Sequence, residues 1–111
     1  MRREITQSTV DHIVGTIVGQ FNPYRIILFG SRARGDERPD SDLDLMIEMD
    51  VEAGIEGRER VRRIHRVFDP YPCAMDIIVY TPAEIAARRE AATSLVSTIL
   101  REGTVLYERE R

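Results

Sequence analysis

The chain has 111 residues, 42% hydrophobic and 32% charged, enough for one modest core and no separate substrate-binding domain. Sixteen basic residues against nineteen acidic ones leave a net charge of −3, so no global basic field exists to hold nucleic acid non-specifically. Every basic residue is arginine, which excludes a Walker-type phosphate lysine and Schiff-base or carbamoylated-lysine chemistry.

The lone Cys73 cannot form an intrachain disulfide, and the start MRREITQSTV lacks a signal-peptide core. No apolar run approaches the roughly 20 residues needed to cross a bilayer. The chain therefore reads as a single cytoplasmic domain over 1–111, without membrane or direct nucleic-acid contact.

Val10, Ile13, Val14, Ile17, Val18 and Phe21 recur at helical spacing and predict an amphipathic helix over about residues 8–20, capped by Ser8 or Thr6. Asn22-Pro23 breaks it, and Tyr24 to Phe29 (YRIILF) follows as a buried strand that Gly30 ends. Gly30 to Ser41, GSRARGDERPDS, has no apolar period and reads as a loop. Leu43, Leu45 and Ile47 then alternate with Asp42, Asp44, Met46 and Glu48, a second strand with one face in a core and its acids on the other.

Val61, Ile64, Val67 and Phe68 mark a second helix, ended by Asp69-Pro70, before a third strand from Cys73 to Tyr80. Thr81-Pro82-Ala83-Glu84 has the form of an N-cap, a proline at the first helical position and a capping-box glutamate. Leu95, Val96, Ile99 and Leu100 continue that helix to Gly103, expected as a left-handed C-cap, and Thr104 to Glu108 closes the chain's regular structure as a short strand.

Three aspartates stand in or beside strands rather than on helix faces. Asp42 and Asp44, two apart, project from one face about 7 Å apart along the backbone. Asp76 lies mid-strand among Ala74, Met75, Ile77 and Ile78, where a buried, unpaired carboxylate would have to be compensated. If the second and third strands are neighbours, three carboxylates converge and need a cation or shared protons. Such oxygen ligands suit magnesium or manganese. Gly30-Ser31 supplies the complement: a strand-end turn where glycine lets a phosphate approach backbone N–H groups and a hydroxyl. A phosphate cradle, ten intervening residues and then D-x-D, with a third acid on a later strand, are what two-metal phosphoryl transfer requires.

The stretch LFGSRARGDERPDSDLDLMIE resembles the signature of the DNA polymerase beta-like nucleotidyltransferase superfamily in its minimal form, and TPAEIAARRE to LREGTVLYE resembles the same minimal proteins. Many of these are antitoxins paired with a HEPN-domain ribonuclease toxin. The resemblance implies an α/β (α+β) nucleotidyltransferase fold, a small mixed sheet with helices packed mainly on one face and the acids on the open side. It implies that Gly30 and Ser31 bind the triphosphate with Arg34 in reach, that Asp42 and Asp44 hold two Mg²⁺ ions (or Mn²⁺), and that Asp76 completes the metal site and activates the attacking hydroxyl. The expected reaction moves AMP from ATP to a tyrosine hydroxyl of the toxin, within a hetero-oligomer of the two proteins. Two alternatives stand beside it: an antitoxin that neutralises by binding alone, and a transferase acting on a small molecule.

Other residues carry plainer readings. Arg58, Arg60, Arg62, Arg63 and Arg66 read as a solvated helix face bridged by Glu56 and Glu59, with contact to a partner or substrate as the alternative. Arg60 and His65 match the R-x4-H spacing of HEPN ribonucleases, but that motif belongs to an all-helical domain. His12 has no partner at ligand spacing, and Cys73 has no local base to make it a nucleophile.

Overall fold

The computed structural model describes residues 5–110. In chain order they form α1 (Gln7–Phe21), β1 (Arg25–Phe29), α2 (Ser31–Arg34), β2 (Leu43–Glu48), α3 (Gly57–His65), β3 (Met75–Tyr80), α4 (Pro82–Arg88), α5 (Leu95–Glu102) and β4 (Thr104–Glu108). The strands make one mixed sheet in the order β3-β2-β1-β4. β1 runs antiparallel to β2 and β4, whereas β2 and β3 are parallel, as a crossover through a helix requires.

The period-2 pattern of β2 sorts the core into two layers. Leu43, Leu45 and Ile47 pack with Ile26, Ile77 and Val79 of the neighbouring strands against Ile13 and Ile17 of α1 and Ile64 of α3. On the opposite face Met46 and Ile27 meet Ile85 of α4 and Val96 and Ile99 of α5. The two longest helices thus share one face, and two shorter ones cover part of the other. Among the described residues no helix is long and apolar enough to cross a membrane.

Local signals explain most boundaries. Thr6 caps α1 by accepting from the Thr9 N–H at 3.1 Å, and Asn22 ends it at φ 48°. The Thr81–Glu84 capping box forms in full, with Thr81 N–H donating to Glu84 Oε1 at 2.8 Å and Glu84 N–H to Thr81 Oγ1 at 3.2 Å.

Four expectations need correction. The Gly30–Ser41 stretch is not wholly loop, because Ser31–Arg34 makes one helical turn between Gly30 and Gly35, both at positive φ. The second helix ends at His65, short of Val67 and Phe68, although Phe68 still enters the core. The helix expected from Pro82 to Glu102 is two helices: Ser94 caps α5 through the Ser97 N–H at 3.1 Å, and its hydroxyl donates to the Arg88 carbonyl at 2.7 Å. A serine cap thus outweighs continuous apolar spacing. Gly103 is not left-handed; its φ is −77°, and its need for glycine is steric. A Cβ there would stand 2.6 Å from Ile27 Cγ2 and 2.9 Å from the Leu28 carbonyl oxygen.

Candidate active site

The end of β1 and the start of β2 meet across one antiparallel rung, Phe29 opposite Asp44. On its other side Asp44 is in register with Asp76 of β3. The expected neighbourhood of second and third strands is therefore present, and it places two carboxylates side by side on the face that α4 and α5 leave uncovered at this end.

Immediately beyond Phe29 the chain turns at Gly30, with φ 74° and ψ −155°. A Cβ at Gly30 would lie 2.1 Å from Asp44 Oδ2, so the Asp44 carboxylate occupies the space any side chain would need. Glycine is required twice over, by dihedral and by contact. The single turn of α2 follows, starting with Ser31 beside this carboxylate-covered corner.

Asp42 lies exposed just before β2 rather than within it. Its approach is shaped by Arg32, which donates from Nη2 and Nε to the Ser41 carbonyl at 2.9 and 3.3 Å, and by the Arg38 N–H, which donates to Ser41 Oγ at 2.8 Å. Leu43 N–H then donates to the Ala74 carbonyl at 3.0 Å and starts the β2–β3 ladder. Arg32 is thus a loop-positioning residue that the sequence reading left unassigned; an arginine in a polar loop carries no signal of which carbonyl it will bind.

Burial raises the Asp44 carboxyl above its ordinary pKa, the charges of Asp76 and Asp42 push it the same way, and Arg34 and Arg32 oppose them. All four charged neighbours therefore act on Asp44. Asp76 itself is exposed, which corrects the expectation of a carboxylate desolvated among apolar neighbours: strand alternation turns it out of the core that Met75 and Ile77 enter. None of the three acids makes an ion pair among the described residues, and no three His, Cys, Asp or Glu side chains there form a ready-made metal cage. Arg34 is exposed and bonded to Asp36 at 3.3 Å, free to exchange that partner for an anion.

A small cavity of about 110 Å³ opens beside Gly30 between α2 and α5, lined by Phe29, Arg34, Leu95, Thr98 and Glu102 among others. No motif marks the α5 residues; only the tertiary fold brings them to the turn. Cys73 is half-buried, and burial raises its thiol pKa, consistent with an unreactive thiol. Arg60, of the R-x4-H spacing, is engaged structurally: it donates to the Ile55 carbonyl at 2.8 Å and pairs with Glu84 at 2.5 Å.

A strand-end glycine turn under an acid, beside a second acid on a parallel strand, can hold a cation against an anionic, phosphate-bearing ligand. A search of curated proteins finds no significant match. A candidate nucleotidyltransferase from Sulfolobus solfataricus, solved at 1.40 Å, shares the fold with a TM-score of 0.66 at 21% identity, over 94% of this chain and 81% of that one. The family model for polymerase beta nucleotidyltransferases matches residues 11–111, a span that contains the glycine turn and all three aspartates, and the chain belongs to that family.

Proposed function

We propose that this chain transfers AMP from ATP to a hydroxyl, that of a tyrosine on a cognate HEPN-domain ribonuclease toxin, and releases pyrophosphate. One observation carries the transfer: Asp44 is set between Gly30 and Asp76, its carboxylate filling the place of the glycine's missing side chain. The assignment of the acceptor follows from the likeness of the LFGSRARGDERPDSDLDLMIE stretch to minimal antitoxin nucleotidyltransferases.

In this reading Gly30 and Ser31 hold the β and γ phosphates, and Arg34 leaves Asp36 to reach them. Asp42 and Asp44 are the ligands for two Mg²⁺ or Mn²⁺ ions, with Asp76 completing the set. The donor chemistry fits. A carboxyl whose pKa is raised by burial and by two acidic neighbours gains most from a cation, and magnesium takes one or two carboxylates plus substrate phosphates instead of a closed protein cage. When bound, such a cation neutralises charge at the α-phosphate and on the departing pyrophosphate. The acceptor oxygen forms its bond to the α-phosphorus as the bond from that phosphorus to the bridging oxygen breaks. Pyrophosphate carries away the electron pair, and Asp76 takes the hydroxyl proton.

The test is to incubate the protein with Mg²⁺ and α-labelled ATP, with and without the product of the adjacent gene, beside the Asp42→Asn/Asp44→Asn variant. Label on the neighbour with the wild type alone is the expected result. Toxin neutralisation that survives the double substitution, with no label on any protein, would establish neutralisation by binding instead.

A further inference from the structure

β3 ends the sheet, and among the described residues no strand pairs with its outer side. The carbonyls of Ala74 and Tyr80 accept from the Leu43 and Met49 N–H groups, so the alternation of a parallel ladder turns residues 76 and 78 inward as well, and directs the backbone groups of Met75, Ile77 and Val79 outward. One end of this edge is closed, because Arg60 Nη1 donates to the Val79 carbonyl at 3.3 Å. Sheet edges are usually blunted by charge, proline or a covering element; here Arg60 guards one end, and the outward backbone groups of Met75 and Ile77, residues 9% and 4% exposed, meet no strand among the described residues.

Along this edge runs a groove of about 630 Å³ between α3 and β3, floored by Val61, Ile77 and Val79 and rimmed by Arg58, Arg62 and His65. The rim is basic on an acidic chain. Glu59 alone answers Arg62, Arg63 and Arg66, at 3.3, 3.7 and 3.3 Å, and Arg58 meets no carboxylate among the described residues. The helix face read as salt-bridged therefore keeps an excess of positive charge beside an unpaired strand.

We propose that this edge binds an extended acidic peptide as an added strand, and that the peptide is the acceptor, carrying its hydroxyl residue alongside Asp76; this rests on the nucleotidyl-transfer reading of the site. An added strand lies about 4.8 Å from β3, and its side chains alternate between the two faces. Residues on one face enter the apolar groove and meet Arg58 and Arg62. Those on the other run beside Asp76, Ile78 and Tyr80, where the hydroxyl transfers its proton to Asp76 as its oxygen bonds the α-phosphorus and pyrophosphate leaves. The acidic residues thus face the arginines and stay away from the site's own carboxylates. A second copy of the chain is a poor occupant, since edge-to-edge pairing would set the α3 arginines of both copies against each other.

The probe is a fluorescein-labelled synthetic peptide alternating threonine with glutamate or valine around one tyrosine, the tyrosine in register with the threonines. In the absence of nucleotide it should bind, protect the Met75 and Ile77 amides from hydrogen exchange, and bind about tenfold more tightly than the same peptide with lysine for glutamate. Arg58→Glu/Arg62→Glu should reverse that preference. With Mg²⁺ and α-labelled ATP, label should accumulate on the tyrosine about tenfold faster than on a peptide whose tyrosine is shifted by one residue to the α3 face. Equal binding of the two charge forms, or protection at β4 or nowhere, overturns the proposal, and transfer to another acceptor would then still uphold the nucleotidyl reading. Docking at β3 without label on the tyrosine overturns the acceptor role and counts against nucleotidyl transfer, while leaving the edge as a peptide site.

Discussion

Glu48 and Asp44 lie four residues apart on β2 and project from the same face, yet they are treated in opposite ways. Glu48 is 8% exposed and faces Arg25 across the β1–β2 rung, with Arg25 Nε to Glu48 Oε1 at 2.6 Å. Asp44 is less buried, faces Phe29 on one side and Asp76 on the other, and has no ion pair among the described residues. An acid that only builds the sheet is given a cation from the protein. An acid placed beside another acid has no cation from the described residues, and under the proposed function that lack separates the site from the scaffold.

The sharpest way to break this comparison is to remove the charge at each acid. Asp42→Asn/Asp44→Asn is expected to lower nucleotidyl transfer by roughly a thousandfold or more, with a thermal midpoint at or above that of the wild type in metal-free buffer; a fall in stability equal to that of a Glu48 variant would erase the distinction. Gly30→Ala tests the contact instead of the charge. Displacing Asp44 should reduce transfer by about a hundredfold. Gly35→Ala shares the strain of positive φ, 79° against 74°, but meets nothing within 4 Å; it should lose about 1 kcal/mol of stability and little activity. Equal activity losses in the two glycine variants would sink the claim that Asp44 sets the requirement.

Glu48→Ala should show the converse pattern: about 1–3 kcal/mol lost in urea denaturation, from a half-buried guanidinium left without its partner, and transfer changed by no more than about twofold. The smallest effect is in pH dependence. The folded state raises the Asp44 pKa, so it binds a proton that the unfolded chain has released, and this contribution makes stability fall as pH rises from the ordinary carboxylate value of 3.8 through the raised one. Glu84 acts oppositely: the hydrogen bond from Arg60 lowers its pKa, so its contribution is present above its ordinary value and is lost as pH falls through the lowered one. Metal-free Asp44→Asn should therefore gain on the wild type as pH rises through the Asp44 window, whereas Arg60→Gln should flatten the acid limb. Parallel profiles for Asp44→Asn and wild type would count against any electrostatic tension at Asp44.

Much of this was legible in the residues. The Thr81-Pro82-Ala83-Glu84 box and the β4 span Thr104–Glu108 emerged as read, because caps and strand periods are local physics; the alternation of β2 was read with an open acid face, but Met46 and Glu48 on that face are buried as well, because α4 and α5 cover it. Gly30 and the three aspartates could be singled out because a glycine turn and D-x-D at fixed spacing are rare together. The break at Ser94 was not read, since apolar spacing continues across it and the serine hydrogen bonds that stop α4 from joining α5 depend on where the chain turns. Gly103 was noticed for the wrong reason: sequence suggests a dihedral demand, and the demand is steric, from the Ile99 carbonyl of α5 together with Ile27 and Leu28 on β1.

By itself the sequence marked the candidate residues Gly30, Asp42, Asp44 and Asp76 and the parity that sets Asp44 and Asp76 on the face opposite Leu45 and Ile77, because side-chain direction in a strand follows position. Which strand neighbours which was decided only by the tertiary structure. The order β3-β2-β1-β4 sets Asp76 beside Asp44, leaves Asp76 in water instead of the core, brings α5 to the Gly30 turn and exposes one edge of β3 next to the arginines of α3. Each of these is a contact between residues far apart in the chain, selected by how two apolar faces of one sheet are covered by helices, and local propensity carries no record of it.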